Sequence, residues 1–337
     1  MPAQLPTRKI GTTDVSALGF GAMGIGGFSY TSPDAEKDNM KFLDQVYERG
    51  CTMWDTADCY GESEQIIGQW FKRTGKRNEI FISTKVGYVF GDRMVNGEPE
   101  YLKSAVEKSL SRLGVDQIDL LYLHRADLQT PIEKSIEALA EFVKSGKVKY
   151  LGVSEASAAA LRRAHSVHPI SAYQVEYSPF ALDVEDPKIG IMQACKELNI
   201  ALVAYSPLAR GVLTGQYKSP KDFPEGDTRP YMPRFSEENF PNILQLVEDI
   251  NTVGKKHSAT PAQVTLAWLL AQGENVIPIP GTRNVKRLDE NLGAVNVKLT
   301  EEEVVALRKA AEKADLPGVP RYPAGYDDHT FIDSPPL

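Results

Sequence analysis

The chain has 337 residues, 42% of them hydrophobic and 25% charged, which excludes disordered and collagen-like classes and leaves ample material for a large buried core. The formal charge of -7 at pH 7 excludes a sequence-independent grip on nucleic acid, which needs a basic surface, so an anionic ligand has to meet a local basic cluster. Cys51, Cys59 and Cys195 show no metal-type or redox-type spacing, and the N-terminus has neither a leader-like apolar core nor a bilayer-length apolar run after it. These features give the expectation of a soluble cytoplasmic protein from a reducing compartment, with no membrane partner.

In chain order, short extended pieces at 8–11 and 15–19 around Thr12, Thr13 and Asp14 predict a β-hairpin. After it, apolar runs alternate with amphipathic segments. The runs predict strands over 18–21, 52–54, 80–84, 118–123, 150–153, 172–175, 201–204 and 276–279. Helices are expected near 35–49, 63–73, 100–113, 132–145, 156–165, 189–198, 243–257 and 261–271, with a further helix entered at 281–284. Eight strands alternating with helices predict an α/β fold, a (β/α)8 TIM barrel. It carries an N-terminal β-hairpin and long loops at the C-terminal face, and residues 1–337 are expected to form one domain. A barrel of this kind takes about 250 residues, so a surplus of about 87 has to be placed. The hairpin, the Pro/Gly-rich stretch 206–241 and the tail 315–337, with Tyr322, Tyr326 and Phe331, supply the places. Gly19-Phe20-Gly21-Ala22-Met23-Gly24 matches the G-x-G-x-x-G dinucleotide fingerprint. That motif must open a helix, yet 25–30 continues as loop, which sets the alternative Rossmann fold aside.

In a parallel barrel the functional face lies at the carboxyl ends of the strands. Three apolar runs end in a polar residue there: Trp54 is followed by Asp55, Thr84 by Lys85 and Leu123 by His124. An aspartate and a lysine brought to one rim would pair, because an isolated charge there is costly to desolvate. Tyr60 follows Asp55 by five residues.

Asp55-Thr56-Ala57-Asp58-Cys59-Tyr60-Gly61, then Lys85, then His124 resembles the signature of the aldo-keto reductase superfamily. The resemblance extends through the Gly-rich first turn, Gly152-Val153-Ser154, Gln174, Tyr205-Ser206-Pro207-Leu208 and Pro280-Gly281-Thr282-Arg283 to Glu290-Asn291. It is nearest to pyridoxal-reductase-like and aryl-alcohol-dehydrogenase-like members.

Carbonyl reduction needs a hydride on carbon and a proton on oxygen. Tyrosine titrates near ~10 in water and acts as a general acid more readily beside a cation that stabilises its anion. Tyr60 is the expected proton donor, Lys85 that cation, Asp55 the anchor of the ammonium and His124 the group that donates to the carbonyl oxygen or orients the substrate. The resemblance implies the same four roles. No side chain stores a hydride, so a nicotinamide is the economical donor.

Past the last strand, Gly281, Thr282 and Arg283 enter a helix whose amides and dipole favour an anion, with Pro280 before them. Arg283 and Arg287, four apart, are expected on one helix face to clamp the 2'-phosphate of NADP(H), with Glu290 and Asn291 beyond for the adenine amine. The resemblance implies that Tyr205 stacks on the nicotinamide and that Ser154 and Gln174 hold its carboxamide. It also implies that Ser206, Leu208 and Gly211 line the pyrophosphate and that Gly21, Met23 and Asp55 face the cofactor. Many members carry Asn where Glu155 stands here. Phe28, Tyr30, Trp54, Tyr88, His124 and Tyr326 are expected to wall a pocket for a small carbonyl substrate. No metal site is expected, and the sequence carries no signal of oligomeric state. The resulting expectation is NADPH-dependent, reversible reduction of aldehydes and ketones, the alternative being an NADP(H)-sensing regulatory or binding subunit of the same fold.

Overall fold

In the computed structural model, which describes residues 4–27, 36–89, 94–316, 318–324 and 329–337, the chain starts with an antiparallel hairpin of β1 (Thr7–Ile10) and β2 (Thr13–Ser16). Its turn is Gly11-Thr12, slightly earlier than the sequence suggests, because Gly11 takes the left-handed bend with φ of 57°.

Eight parallel strands follow in strict sequential order. They are β3 (Phe20–Gly21), β4 (Met53–Asp55), β5 (Phe81–Val86), β6 (Ile118–Leu123), β7 (Val148–Ser154), β8 (Ile170–Glu176), β9 (Ala201–Tyr205) and β10 (Val276–Pro278). The edge strands meet through the Gly19 amide donating to Pro278 O (2.9 Å) and the Gly21 amide to Pro280 O (3.3 Å). The expected (β/α)8 barrel is therefore the observed architecture. Gly21 is required at this seam, since a Cβ there would stand 2.8 Å from Ile279 O. Gly19 and Gly21 of the dinucleotide-like motif serve barrel closure, and the chain goes on into a short 3-10 turn, Met23–Gly26, which contains Gly24, rather than a Rossmann helix.

Around the sheet lie α1 (Asn39–Glu48), α2 (Ser63–Thr74), α3 (Pro99–Leu113), α4 (Ile132–Lys144), α5 (Ala158–Val167) and α6 (Ile191–Glu197). They are followed by α7 (Phe240–His257), α8 (Pro261–Leu270), α9 (Val285–Gly293) and α10 (Glu301–Ala314). The first helix begins later than expected, where the Asp38 carboxylate accepts the amides of Met40 and Lys41 and caps it. α10 is an addition to the expected set, although its capping box, Thr300 with Glu303, was in the sequence. No described helix is long and apolar enough to cross a membrane.

Two apolar layers result. Residues on alternate strand positions fill the barrel: Ile10 and Val15 of the hairpin join Met53, Phe81, Leu120, Tyr122, Ala172, Ala201, Val203, Ile277 and Ile279. Phe81 and Ala201 open their strands, so the hairpin plugs the end of the barrel where the strands begin. The other strand face packs against the helices. Both the carboxyl ends of the strands and the long segment 206–241, folded as successive 3-10 turns, are left to form the opposite face.

Candidate active site

Strand alternation sets the first residues of the site. In β4, Met53 points into the barrel, Trp54 outward and Asp55 inward again. Asp55 and Lys85 are 2% and 0% exposed, and they form a direct ion pair through Asp55 Oδ1. Lys85 also donates to Thr56 O (2.7 Å), while Asp55 Oδ2 accepts from Ser83 Oγ (2.9 Å) and Gln174 Nε2 (2.8 Å). Both carboxylate oxygens are thus engaged, which is what allows a buried pair to persist at the top of the barrel.

Tyr60 lies in the turn between β4 and α2, with the Lys85 ammonium 4.9 Å from its ring centroid. His124 meets Tyr60 edge-on at 5.9 Å, and Tyr88 stands 5.3 Å from His124. The turn is held from below, because a Cβ on Gly26 would come within 1.7 Å of Tyr60 O. Asp55, Tyr60, Lys85 and His124, scattered over 70 positions of sequence, are brought to one place.

Burial dominates the electrostatics here. It pushes Tyr60 well above the usual phenol range, helped by Cys59 and Asp55, and the opposing cation is Arg125. Asp55, paired with the Lys85 ammonium, adds its own upward push. Burial, then Arg125 and Lys85, lower His124 well below its ordinary value, so its imidazole is neutral. Burial and the neighbouring Asp58 raise the Cys59 thiol to about 12, and its Sγ lies 3.7 Å from His124 Nδ1. A protonated thiol is no nucleophile.

Asp58 itself is raised to about 7, by burial first and then by Glu64. Its carboxyl holds a proton in the folded chain that it loses near pH ~4 when unfolded, so stability falls as pH rises from about 4 to about 7. Asp58→Asn is therefore expected to flatten that slope and to raise Tm at pH 8 by several degrees, on the order of a 1–2 kcal/mol gain. Thermal melts across this range that stay parallel to wild type would contradict it.

A cavity of about 1070 Å³ opens above these residues. That exceeds the ~300–1,000 Å³ of ordinary ligand pockets and leaves room for a dinucleotide together with a small substrate. Tyr60, His124, Tyr88 and Asp55 line it, and Lys85 supports the floor from behind. Gly21 and Met23 border it on the β3 side, and Ser154, Gln174 and Tyr205 at the ends of β7, β8 and β9. Ser206, Leu208 and Gly211 follow in the β9–α7 loop, where Ser206, Ala209 and Arg210 all have positive φ. Such backbone is costly for non-glycine residues and is kept where surrounding structure imposes it. Pro280, Gly281, Thr282, Arg283, Arg287, Glu290 and Asn291 complete the far wall.

Two placements differ from expectation. Trp54 does not line the cavity: it is fully buried on the helix side, 4.7 Å from Trp70, and donates its indole N–H to Cys51 O (2.8 Å). Arg283 precedes the helix rather than riding on it, because Asn284 is the N-cap of α9 and accepts the Arg287 amide (3.1 Å). It still shares the cavity wall with Arg287, which reaches across to Gln216 Oε1 (3.3 Å). Phe28, Tyr30 and Tyr326 lie outside the described residues.

Glu155 takes a left-handed φ of 54° and turns away from the cavity. Its carboxylate is 0% exposed and accepts from both ends of the Arg321 guanidinium (2.6 and 3.1 Å), from the Glu176 amide (3.0 Å) and from Tyr205 OH (2.8 Å). The tail is thereby tied to the site, with Tyr322 bonded to Tyr205 across 2.9 Å and lining the cavity. Further on, Ser157 donates its amide to Ile332 O and Ile132 donates to Ser334 Oγ, which fastens the tail to α5 and α4. Arg125, directly after His124, was missed, although the rule that picks polar residues at strand ends reaches it. Arg321 carried no local signal, since its partner lies 166 residues away.

A family model described as the Aldo/keto reductase family matches residues 17–312. The chain is 55% identical to "Aldo-keto reductase str7" of Strobilurus tenacellus, and 50% identical to "Aldo-keto reductase yakc [NADP(+)]" of Schizosaccharomyces pombe. Each similarity covers 99% of both chains. Among solved structures, the glycerol dehydrogenase of Gluconobacter oxydans superimposes with a TM-score of 0.82 at 28% identity, over 91% of this chain and 95% of that one.

Proposed function

The chain belongs to the aldo/keto reductase family of oxidoreductases, and from that premise we propose that it reduces aldehydes and ketones to alcohols with NADPH, reversibly, with Tyr60 as the proton donor. The observation that carries this reading is the buried Asp55–Lys85 pair lying beneath Tyr60 and beside His124 on the cavity floor.

The cavity suits NADP(H). Its far wall joins two guanidinium groups, Arg283 and Arg287, to the N-terminus of the nine-residue helix α9, a combination that favours a phosphate. Glu290 and Asn291 stand beyond for the adenine, while Ser154, Gln174 and Tyr205 stand at the reacting end with Ser206, Leu208 and Gly211 between. Bound there, the dihydronicotinamide supplies the hydride. The name of the Schizosaccharomyces pombe relative includes NADP(+), which agrees.

The chain's own residues supply the rest. Tyr60 stays protonated at neutral pH because burial disfavours its anion. As negative charge develops on the substrate oxygen, the phenol gives up its proton, and the Lys85 ammonium steadies the phenolate that forms. Asp55 fixes that ammonium. The neutral His124 receives the Cys59 S–H at Nδ1, which leaves its Nε2–H to donate to the same oxygen. Tyr88 walls the substrate side.

The cofactor assignment has its own test. Arg287→Met is expected to weaken NADPH binding at least tenfold, the scale of one lost charge-assisted contact, while NADH binding changes little. Equal losses for both nucleotides, read by fluorescence titration, would refute the clamp. Turnover decides between an enzyme and a nucleotide-sensing subunit: oxidation of NADPH by the purified protein with substituted benzaldehydes is expected, and a flat response across them would reject catalysis.

A further inference from the structure

At the end of the cavity where β6, β7, β8 and β9 finish, five ionised side chains gather: Arg125, Arg210 and Arg321 against Glu155 and Glu176. Two of the cations are matched. Arg321 binds Glu155 bidentately, and Arg210 pairs with Glu176 at 3.2 Å. His124 is neutral, and Lys85 is balanced by Asp55. Among the described residues at this end, the positive charge without an ion-pair partner belongs to Arg125.

The Arg125 guanidinium is held by neutral oxygens alone: Nη1 donates to His124 O (2.8 Å) and to Ser154 Oγ (3.1 Å). Among the described residues no carboxylate lies within 4 Å of it, and Nε and Nη2 have no acceptor. The side chain lines the cavity beside His124. The Nε/Nη2 edge of a guanidinium is the planar fork that fits a carboxylate with two parallel bonds. A desolvated cation with that edge unengaged favours an anion; the Tyr205 phenol and the more distant Glu155 carboxylate, itself bound by Arg321, act on it electrostatically, followed by Tyr322 and Tyr60. In the reading above, the 2'-phosphate of the dinucleotide falls to Arg283 and Arg287 and its pyrophosphate to the segment with Ser206, Leu208 and Gly211, so this charge is left for the substrate.

Resting on the reductase reading above, we propose that the preferred substrates are aldehydes or ketones that carry a carboxylate, which Arg125 receives while the carbonyl oxygen faces Tyr60 and His124. Arg125 is thereby a specificity-determining residue, set by its position immediately after the end of β6.

The test compares 4-carboxybenzaldehyde with its methyl ester, methyl 4-formylbenzoate, by NADPH oxidation. Wild type is expected to show kcat/KM about ten- to a hundredfold higher for the acid, carried by KM. Arg125→Met is expected to bring the ratio to about one or below, and Arg125→Lys to keep part of it. The wild-type ratio tests the idea even if the methionine variant does not fold. Equal use of acid and ester by wild type, or an unchanged ratio in Arg125→Met with the loss confined to the KM of NADPH, would overturn it and leave the reductase reading intact. No turnover of either aldehyde would remove the reductase reading, and this inference with it.

Discussion

Tyr60→Phe is expected to bind NADPH as wild type does and to lose about 10²- to 10⁴-fold in carbonyl reduction, the range that a positioned general acid supplies. The phenyl ring keeps the packing of the phenol: the edge-on contact with His124 at 5.9 Å and the Lys85 ammonium 4.9 Å from the centroid both survive the change. What disappears is the one proton that the Asp55–Lys85 pair is placed to help release. Alternative donors are poor. The Cys59 thiol, raised to about 12, faces the imidazole, and neutral His124 becomes an imidazolate only at great cost. Single-turnover measurements with saturating NADPH isolate the chemical step, and a variant keeping more than a tenth of the wild-type rate would take the acid role away from Tyr60.

Arg321→Met is expected to cost about 3–5 kcal/mol of stability, because it leaves the Glu155 carboxylate buried without its cation. Burial alone would raise the Glu155 pKa, but the charge and hydrogen bonds of Arg321 outweigh it and hold the carboxyl below its usual value. A folded pKa below the unfolded one means that the pair stabilises the protein at neutral pH and stops doing so as pH falls through the folded value. The gap between variant and wild type should therefore narrow on acidification. Glu155→Gln combined with Arg321→Met removes both charges, and most of the lost stability should return. Urea unfolding of the four proteins reads this directly. An Arg321→Met variant within about 1 kcal/mol of wild type would mean that the pair contributes little. The same variant frees Tyr322 from its place against Tyr205, so weaker substrate binding is expected beside the weaker fold.

Much of this was legible in the sequence because a parallel barrel turns strand ends into positions. Asp55, Lys85 and His124 each terminate an apolar run, and reading those ends in one frame places them on one rim. Trp54 went astray for a reason the same frame contains: with Met53 and Asp55 pointing inward, period-two alternation sends the residue between them toward the helices. The Arg283–Arg287 spacing suggests one continuous helix, whereas the Asn284 cap starts the helix at Val285, two residues past Arg283. The Glu155–Arg321 pair lay beyond such reading, since nothing local distinguishes a glutamate bound for solvent from one awaiting an arginine near the far end of the chain. The sequence leaves the glycines of the first turn open between a tight turn and a backbone approach to a ligand; the close contacts of Gly19 and Gly21 with Met53, Ile279 and Gly281 belong to barrel closure.

The two ends of the polypeptide differ in how they bear modification. The opening hairpin stoppers the barrel on the side away from the cavity, whereas the closing residues are stitched to α4 and α5 and lead back through Arg321 to the cavity wall. An affinity tag or fusion partner joined through a linker ahead of Thr7 hangs clear of the chemistry. Joined after Leu337, the same appendage pulls on a seam that includes the pocket, so preparations labelled at opposite ends should be compared before a turnover number is assigned to either.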